Sequence, residues 1–184
     1  MSNLPNKQDR PVRGLNIIFT GNGKGKTSAA MGILARSNGH GLRVGVIQFI
    51  KSPDRTYGEA LTAKQLNIAF QSLGDGFVFN RSDHSQAILA AQSAWEEAQQ
   101  WICSQQYDVL ILDEITYLFA YKWLDVDEVV AWLQENKPPT LHLVMTGRSA
   151  PPKLIAYADL VTEMQEIKHP FKEQKIPAQT GIDY

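Results

Sequence analysis

The sequence holds one cysteine, Cys103, in 184 residues, which excludes a disulfide within the chain and with it a disulfide-stapled secreted fold. It has no apolar run of the length a membrane span needs, and its opening MSNLPNKQDRPVRG is polar where a signal peptide requires an apolar core. It has no charge excess: 18 Lys and Arg against 19 Asp and Glu leave a formal net charge of −1, which argues against a nucleic-acid coat or a polybasic membrane anchor. Histidines are few and ungrouped, so His40, His84 and His142 are expected to be incidental. No internal repeat or low-complexity tract occurs. The expectation is a cytoplasmic protein that binds neither membrane nor nucleic acid, with any anion site confined to one place.

What is present is a chain of single-domain size in which apolar β-rich runs alternate with helix-period segments. LNIIF (15–19), RVGVIQF (43–49), YDVLILD (107–113) and TLHLVMT (140–146) are nearly continuous in apolar residues, as parallel strands buried on both faces are. Weaker strands are expected at 68–73 and 159–164. Ile88, Ala91, Trp95, Ala98 and Ile102 lie on one stripe of a helix from Asp83 to Ser104, with Asp83 and Gln86 as its capping box. Asp125 and Glu128 repeat that signal ahead of Val126, Val129, Val130 and Leu133. These stripes are core and carry no chemistry. The class is α/β: residues 14–184 form one domain after a flexible segment 1–13, and the last fifteen or so residues look irregular.

Against this background the stretch FTGNGKGKTSAA, from Phe19 to Ala30, stands apart. It follows a strand, leads into a helix, and concentrates three glycines and two lysines. Glycines at 21, 23 and 25 let backbone N–H groups turn inward, and the helix N-terminus adds partial positive charge. The loop Thr20, Gly21, Asn22, Gly23, Lys24, Gly25, Lys26, Thr27 and Ser28 is therefore a candidate phosphate cradle. Lys26 neutralises phosphate, Lys24 adds a second cation, and the Thr27 hydroxyl reaches a magnesium ion. The pattern G-x-x-x-x-G-K-[ST] would start at position 20, where threonine stands, so the loop is a variant form beginning at Gly21. The plainer reading is a glycine-rich turn with surface lysines. The fold that suits the loop is a P-loop NTPase-like (RecA-like), mostly parallel sheet flanked by helices. In VLILDE, Asp113 ends a strand at the sheet's carboxyl edge, so Asp113 and Glu114 are candidates to hold Mg²⁺ directly or through water. A helix cap followed by a first-turn glutamate is their structural alternative.

The chain resembles the P-loop family of ATP:corrinoid adenosyltransferases in segments that run in the family's order from about residue 14 to 184. They are TGNGKGKTSAA, GVIQFIK, GEA (58–60), GDGF (74–77), WEEA, LDEITY, LDVDEV, VMTGRSAPPKLIAYADLVTEM, KHPF and GIDY. The resemblance implies transfer of the 5′-deoxyadenosyl group of ATP to the cobalt of a reduced Co(I) corrinoid, with release of intact triphosphate. Mg²⁺ would accompany ATP as co-substrate, a flavoprotein or other reductant would supply the electron, and the enzyme would be a homodimer. Co(I) is itself the nucleophile, which suits a chain without an evident nucleophile-and-base pair.

The resemblance also implies that Phe77 and Phe79 crowd the lower face of the corrinoid and favour loss of its axial ligand. Ordinary packing is the alternative. Here the sequence departs from the family's F-T-W-E-T, reading FVFNR, and it carries Ser52 for a usual glycine and Ala60 for a common arginine. Arg148, after another strand, is a candidate for phosphate or a structural carboxylate. Lys51 and Glu59 are equally ligand contacts or solvated charges. His169 is structural or substrate-positioning, and Arg10 and Arg13 either close over ATP or belong to a loose tail. Two other classes remain open: a RecA-like ATPase or DNA-binding protein, and a non-catalytic corrinoid or nucleotide carrier.

Overall fold

The computed structural model describes residues 13–51, 57–74 and 85–183. Expectations for Arg10, Ser52, Phe77, Phe79, Asp83 and His84 lie outside those residues. The elements are β1 (Asn16–Thr20), α1 (Lys26–Gly39), β2 (Val44–Gln48), α2 (Gly58–Gln65), β3 (Ala69–Ser72), α3 (Ser85–Cys103) and β4 (Val109–Asp113), followed by α4 (Thr116–Ala120), α5 (Val126–Asn136), β5 (His142–Thr146), α6 (Pro152–Tyr157), β6 (Leu160–Glu163) and α7 (Pro170–Gln174). The six strands pair in the order β3-β2-β4-β5-β1-β6, every pairing parallel. Each falls within two residues of a run expected from sequence.

Alternation along the strands divides the core into two layers. Ile17, Val44, Val46, Val109, Ile111 and Val144 face α1, where Ala30 and Leu34 cover them. Ile18, Ile47, Leu110, Leu112, Leu143 and Met145 face the other way, onto Ala91, Trp95, Ala98 and Ile102 of α3 and Val129, Val130 and Leu133 of α5. Both apolar stripes therefore face the core as their spacing predicts, except that Ile88 at the start of α3 is only partly buried and lies outside the core cluster. Trp95 meets Trp132 edge to face at 5.5 Å, joining α3 to α5. The Asp125 carboxylate caps α5, accepting from the N–H groups of Asp127 at 2.7 Å and Glu128 at 3.2 Å.

Two regions add detail to the sequence reading. The edge strand β6 is exposed at all four residues, because nothing pairs with its outer side among the described residues. The end of the chain is irregular, as expected, apart from the short α7, which is capped by His169: its Nδ1 accepts from Phe171 N at 3.2 Å while Glu173 returns the bond to His169 N at 2.9 Å. His169 is thus occupied as a helix cap. His142 is likewise structural, its Nδ1 accepting from Leu15 N at 3.1 Å.

Candidate active site

All six strands end on a polar side chain at the same edge: Thr20, Gln48, Ser72, Asp113, Thr146 and Glu163. A parallel sheet leaves its carboxyl edge free of crossover helices at the points where neighbouring strands send their connections apart, and ligands bind there. The glycine loop rises from this edge after β1. Gly21 and Gly25 hold φ of 96° and 108°, in the left-handed region that a side chain disfavours. A Cβ on Gly21 would lie 2.4 Å from Met164 O, and one on Gly23 2.6 Å from Gln165 O. The glycines are needed as much to let the residues after β6 press on the loop as to turn it. Gly23 N seals that contact, donating to Met164 O at 2.7 Å.

Inside the loop the Lys26 ammonium donates to the carbonyls of Gly21 (2.8 Å) and Gly23 (2.7 Å). Burial, helped by the Arg148 guanidinium, lowers its pKa, and the Glu114 and Asp113 carboxylates oppose that fall. Beneath it, fully buried Asp113 is saturated with hydrogen bonds. Its Oδ1 accepts from Thr27 Oγ1 (2.9 Å) and Thr146 Oγ1 (2.6 Å), and its Oδ2 from Gln48 Nε2 (2.9 Å). Glu114, the next residue, has φ of 67° and turns the other way. Its N–H donates to Thr146 Oγ1 at 2.9 Å while its carboxyl faces the cavity. Burial and the adjacent Asp113 charge push that carboxyl up to about 7.

The cavity at this edge has a volume of about 870 Å³ and opens to solvent. One wall is the loop from Gly23 to Ser28; the facing wall carries Lys51, Glu59, Thr62, Glu114, Tyr117 and Arg148. Lys51 forms an ion pair with Glu59, stands 3.9 Å from Asp113 Oδ2, and lies over the Tyr57 ring at 4.7 Å. Burial opposes its charge, but the Asp113 and Glu59 carboxylates more than offset this and raise its pKa. Burial also disfavours the Glu59 carboxylate, yet Lys51 and Gln48 hold its pKa below the usual value. Neither residue is a freely solvated charge.

The structure sorts the sequence candidates. Gly23, Lys24, Gly25, Lys26, Thr27, Ser28, Glu114 and Arg148 converge on the cavity. Thr20 and Asp113 sit behind it: Thr20 Oγ1 accepts from Ala150 N at 3.2 Å, and Asp113 reaches the cavity through Thr27. Asn22 is exposed and does not line the cavity, and Gly21 serves packing. Arg13 pairs with Asp159 at the start of β6, the opposite edge of the sheet from this cavity. Sequence reasoning missed Gln48, Thr146 and Tyr117, and it missed the 179–183 turn, whose Asp183 pairs with Lys24. A usable signal existed for Gln48 and Thr146, since each is a polar residue closing an otherwise apolar strand beside β4.

A glycine loop between β1 and α1, with an acid ending β4, which β5 separates from β1 in the sheet, defines a P-loop nucleotide-binding protein. Flagellar accessory protein FlaH from Methanocaldococcus jannaschii has this fold, with a TM-score of 0.57 over 83% of this chain and 71% of FlaH; at 14% identity the likeness is of fold alone. Residues 12–184 match the family described as ATP:corrinoid adenosyltransferase BtuR/CobO/CobP, and the chain belongs to that family. It is 41% identical to the corrinoid adenosyltransferase of Sinorhizobium sp, covering 94% of this chain and 81% of the relative. It is 39% identical to that of Pseudomonas aeruginosa (96% and 87% covered) and 38% identical to that of Escherichia coli K12 (96% and 89% covered). No helix among the described residues is long and apolar enough to cross a membrane.

Proposed function

We infer that this chain is a transferase that adenosylates corrinoids, moving the 5′-deoxyadenosyl group of ATP to the cobalt of a Co(I) corrinoid and releasing the intact triphosphate. Family membership supports the reaction. One observation supports the assignment of residues: Lys24, Lys26 and Arg148 converge on a cavity of about 870 Å³, in the size range of small-molecule sites.

In the reaction the cobalt electron pair forms the Co–C5′ bond as the C5′–O bond breaks, and the leaving oxygen carries that bond's electrons onto the triphosphate. The residues of this chain act on the leaving side. Lys26 exchanges the Gly21 and Gly23 carbonyls for phosphate oxygens, Lys24 and Arg148 meet the outer charge, and the loop amides hold the chain of phosphates in line. No proton moves at carbon, so no general base is required. The donors suit Mg²⁺, since the Thr27 hydroxyl and Glu114 carboxylate are hard oxygen ligands beside the phosphate position, with Asp113 orienting Thr27. When bound, the ion would offset negative charge on the triphosphate. Phe77 and Phe79 remain the candidates for favouring axial-ligand loss, on the family resemblance. Residues 14–184 would act as one catalytic unit in a cytoplasmic homodimer served by a flavoprotein or other reductant.

Anaerobic incubation with ATP, Mg²⁺ and chemically reduced cobalamin tests the reading. Adenosylcobalamin and triphosphate should appear in equal amounts, and Lys26→Ala should abolish both. ADP and phosphate would point instead to a RecA-like ATPase, and ATP binding without turnover to a carrier.

A further inference from the structure

The turn at 179–183 closes first on itself and then on the phosphate loop. Gln179 O accepts from Asp183 N at 2.8 Å and from Ile182 N at 3.2 Å, and Gln179 N returns a bond to Asp183 Oδ2 at 2.8 Å. The second carboxylate oxygen, Oδ1, accepts from Lys24. The Asp183 side chain is only 12% exposed as a result. The hydrogen bond from Lys24, followed by that from Gln179, holds its carboxyl below the usual range, so it is an anion at neutral pH. Lys24 and Asp183 both line the candidate active-site cavity. The free protein therefore keeps an anion of its own on a cation that the triphosphate has to meet.

Electrostatics make that arrangement consequential at the end of the reaction rather than the beginning. Breaking the C5′–O bond turns an esterified phosphate into a free one, so the product triphosphate carries one more negative charge than the same chain in ATP. A cradle of lysines and amides consequently holds product more tightly than substrate. We propose that Asp183 is a positioning residue acting through Lys24, a tethered competitor that leaves Lys24 when ATP binds and returns to it as the triphosphate departs. The proposal rests on the phosphate site argued above.

The test measures the dissociation constant of inorganic triphosphate, by calorimetry on the full chain, for wild type, Asp183→Asn, Lys24→Ala and their double variant, with Asp183→Glu, Asp183→Ala and Lys26→Ala as controls. Asn keeps an oxygen for Gln179 N and removes the charge. Loss of a competing, partly exposed ion pair should tighten triphosphate binding about three- to fivefold, and this gain should vanish in the Lys24→Ala background. Asp183→Glu should return affinity toward wild type, and Asp183→Ala should tighten binding as Asn does. A merely structural role for the turn predicts the opposite sign. Unchanged or weaker binding in Asp183→Asn, alongside a large loss in Lys26→Ala, overturns the proposal and leaves the phosphate site standing. If Lys26→Ala binds triphosphate as wild type does, the phosphate site fails and the proposal fails with it.

Discussion

The floor and the rim of the cavity handle charge in opposite ways. On the floor, Asp113 is fully buried and accepts from Thr27, Thr146 and Gln48, so its charge is compensated before any ligand arrives. On the rim, Lys24 is held by Asp183 and Lys26 by two loop carbonyls, partners that a phosphate can replace, while the Glu114 carboxyl is pushed up to about 7 by burial and the Asp113 charge. A saturated buried network has one arrangement and fixes geometry; weakly partnered charges at a cavity mouth have several and accept substrate. The site thus separates the group that aligns from the groups that bind.

Breaking the floor should have the larger effect. Asp113→Ala strands two buried donors, on Gln48 and Thr146, and frees the partly buried Thr27 hydroxyl, so a stability loss of about 2 to 4 kcal/mol in denaturant titration is expected. A loss under about 1 kcal/mol would show that the floor is not preorganised.

Changing the rim should stabilise instead. Glu114 has an ordinary pKa of 4.5 in the unfolded chain and about 7 when folded, so folding takes up a proton between those values and stability falls as pH rises through them. Above pH 7 the loss is complete. Glu114→Gln should flatten this profile and raise stability at pH 8 by up to about 3 kcal/mol, at the expense of cation-dependent ATP binding. A wild-type profile that is flat from pH 5 to 8 would contradict the charge assignment.

The floor was half legible in the sequence, whereas the rim residues Lys24, Lys26 and Glu114 were all candidates from it, and only the Asp183 partner of Lys24 was not. Asp113 could be read because it closes an apolar strand downstream of a GKT loop. Its partners Gln48 and Thr146 carried only a weaker signal, a polar residue closing an apolar strand, which looks like the start of a loop until the register sets Gln48 beside Asp113. Strands β1, β2, β4 and β5 were legible from continuous apolar runs. Helices α2, α4, α6 and α7, of five to eight residues, are too short for a helical period to emerge. The contact between Lys24 and Asp183 joins residues 159 positions apart and follows from no local pattern. Likewise, the loop glycines read as phosphate-binding features, whereas two of them also admit the backbone of Met164 and Gln165, which only the fold brings near.

The most direct test of this division is a structure of the protein with ATP and Mg²⁺ bound. It should show phosphate oxygens on Lys26 and Lys24, with the Gly21, Gly23 and Asp183 partners released and the three hydrogen bonds to Asp113 unmoved. Phosphates lying elsewhere, or an Asp113 shell that opens to receive them, would contradict the account.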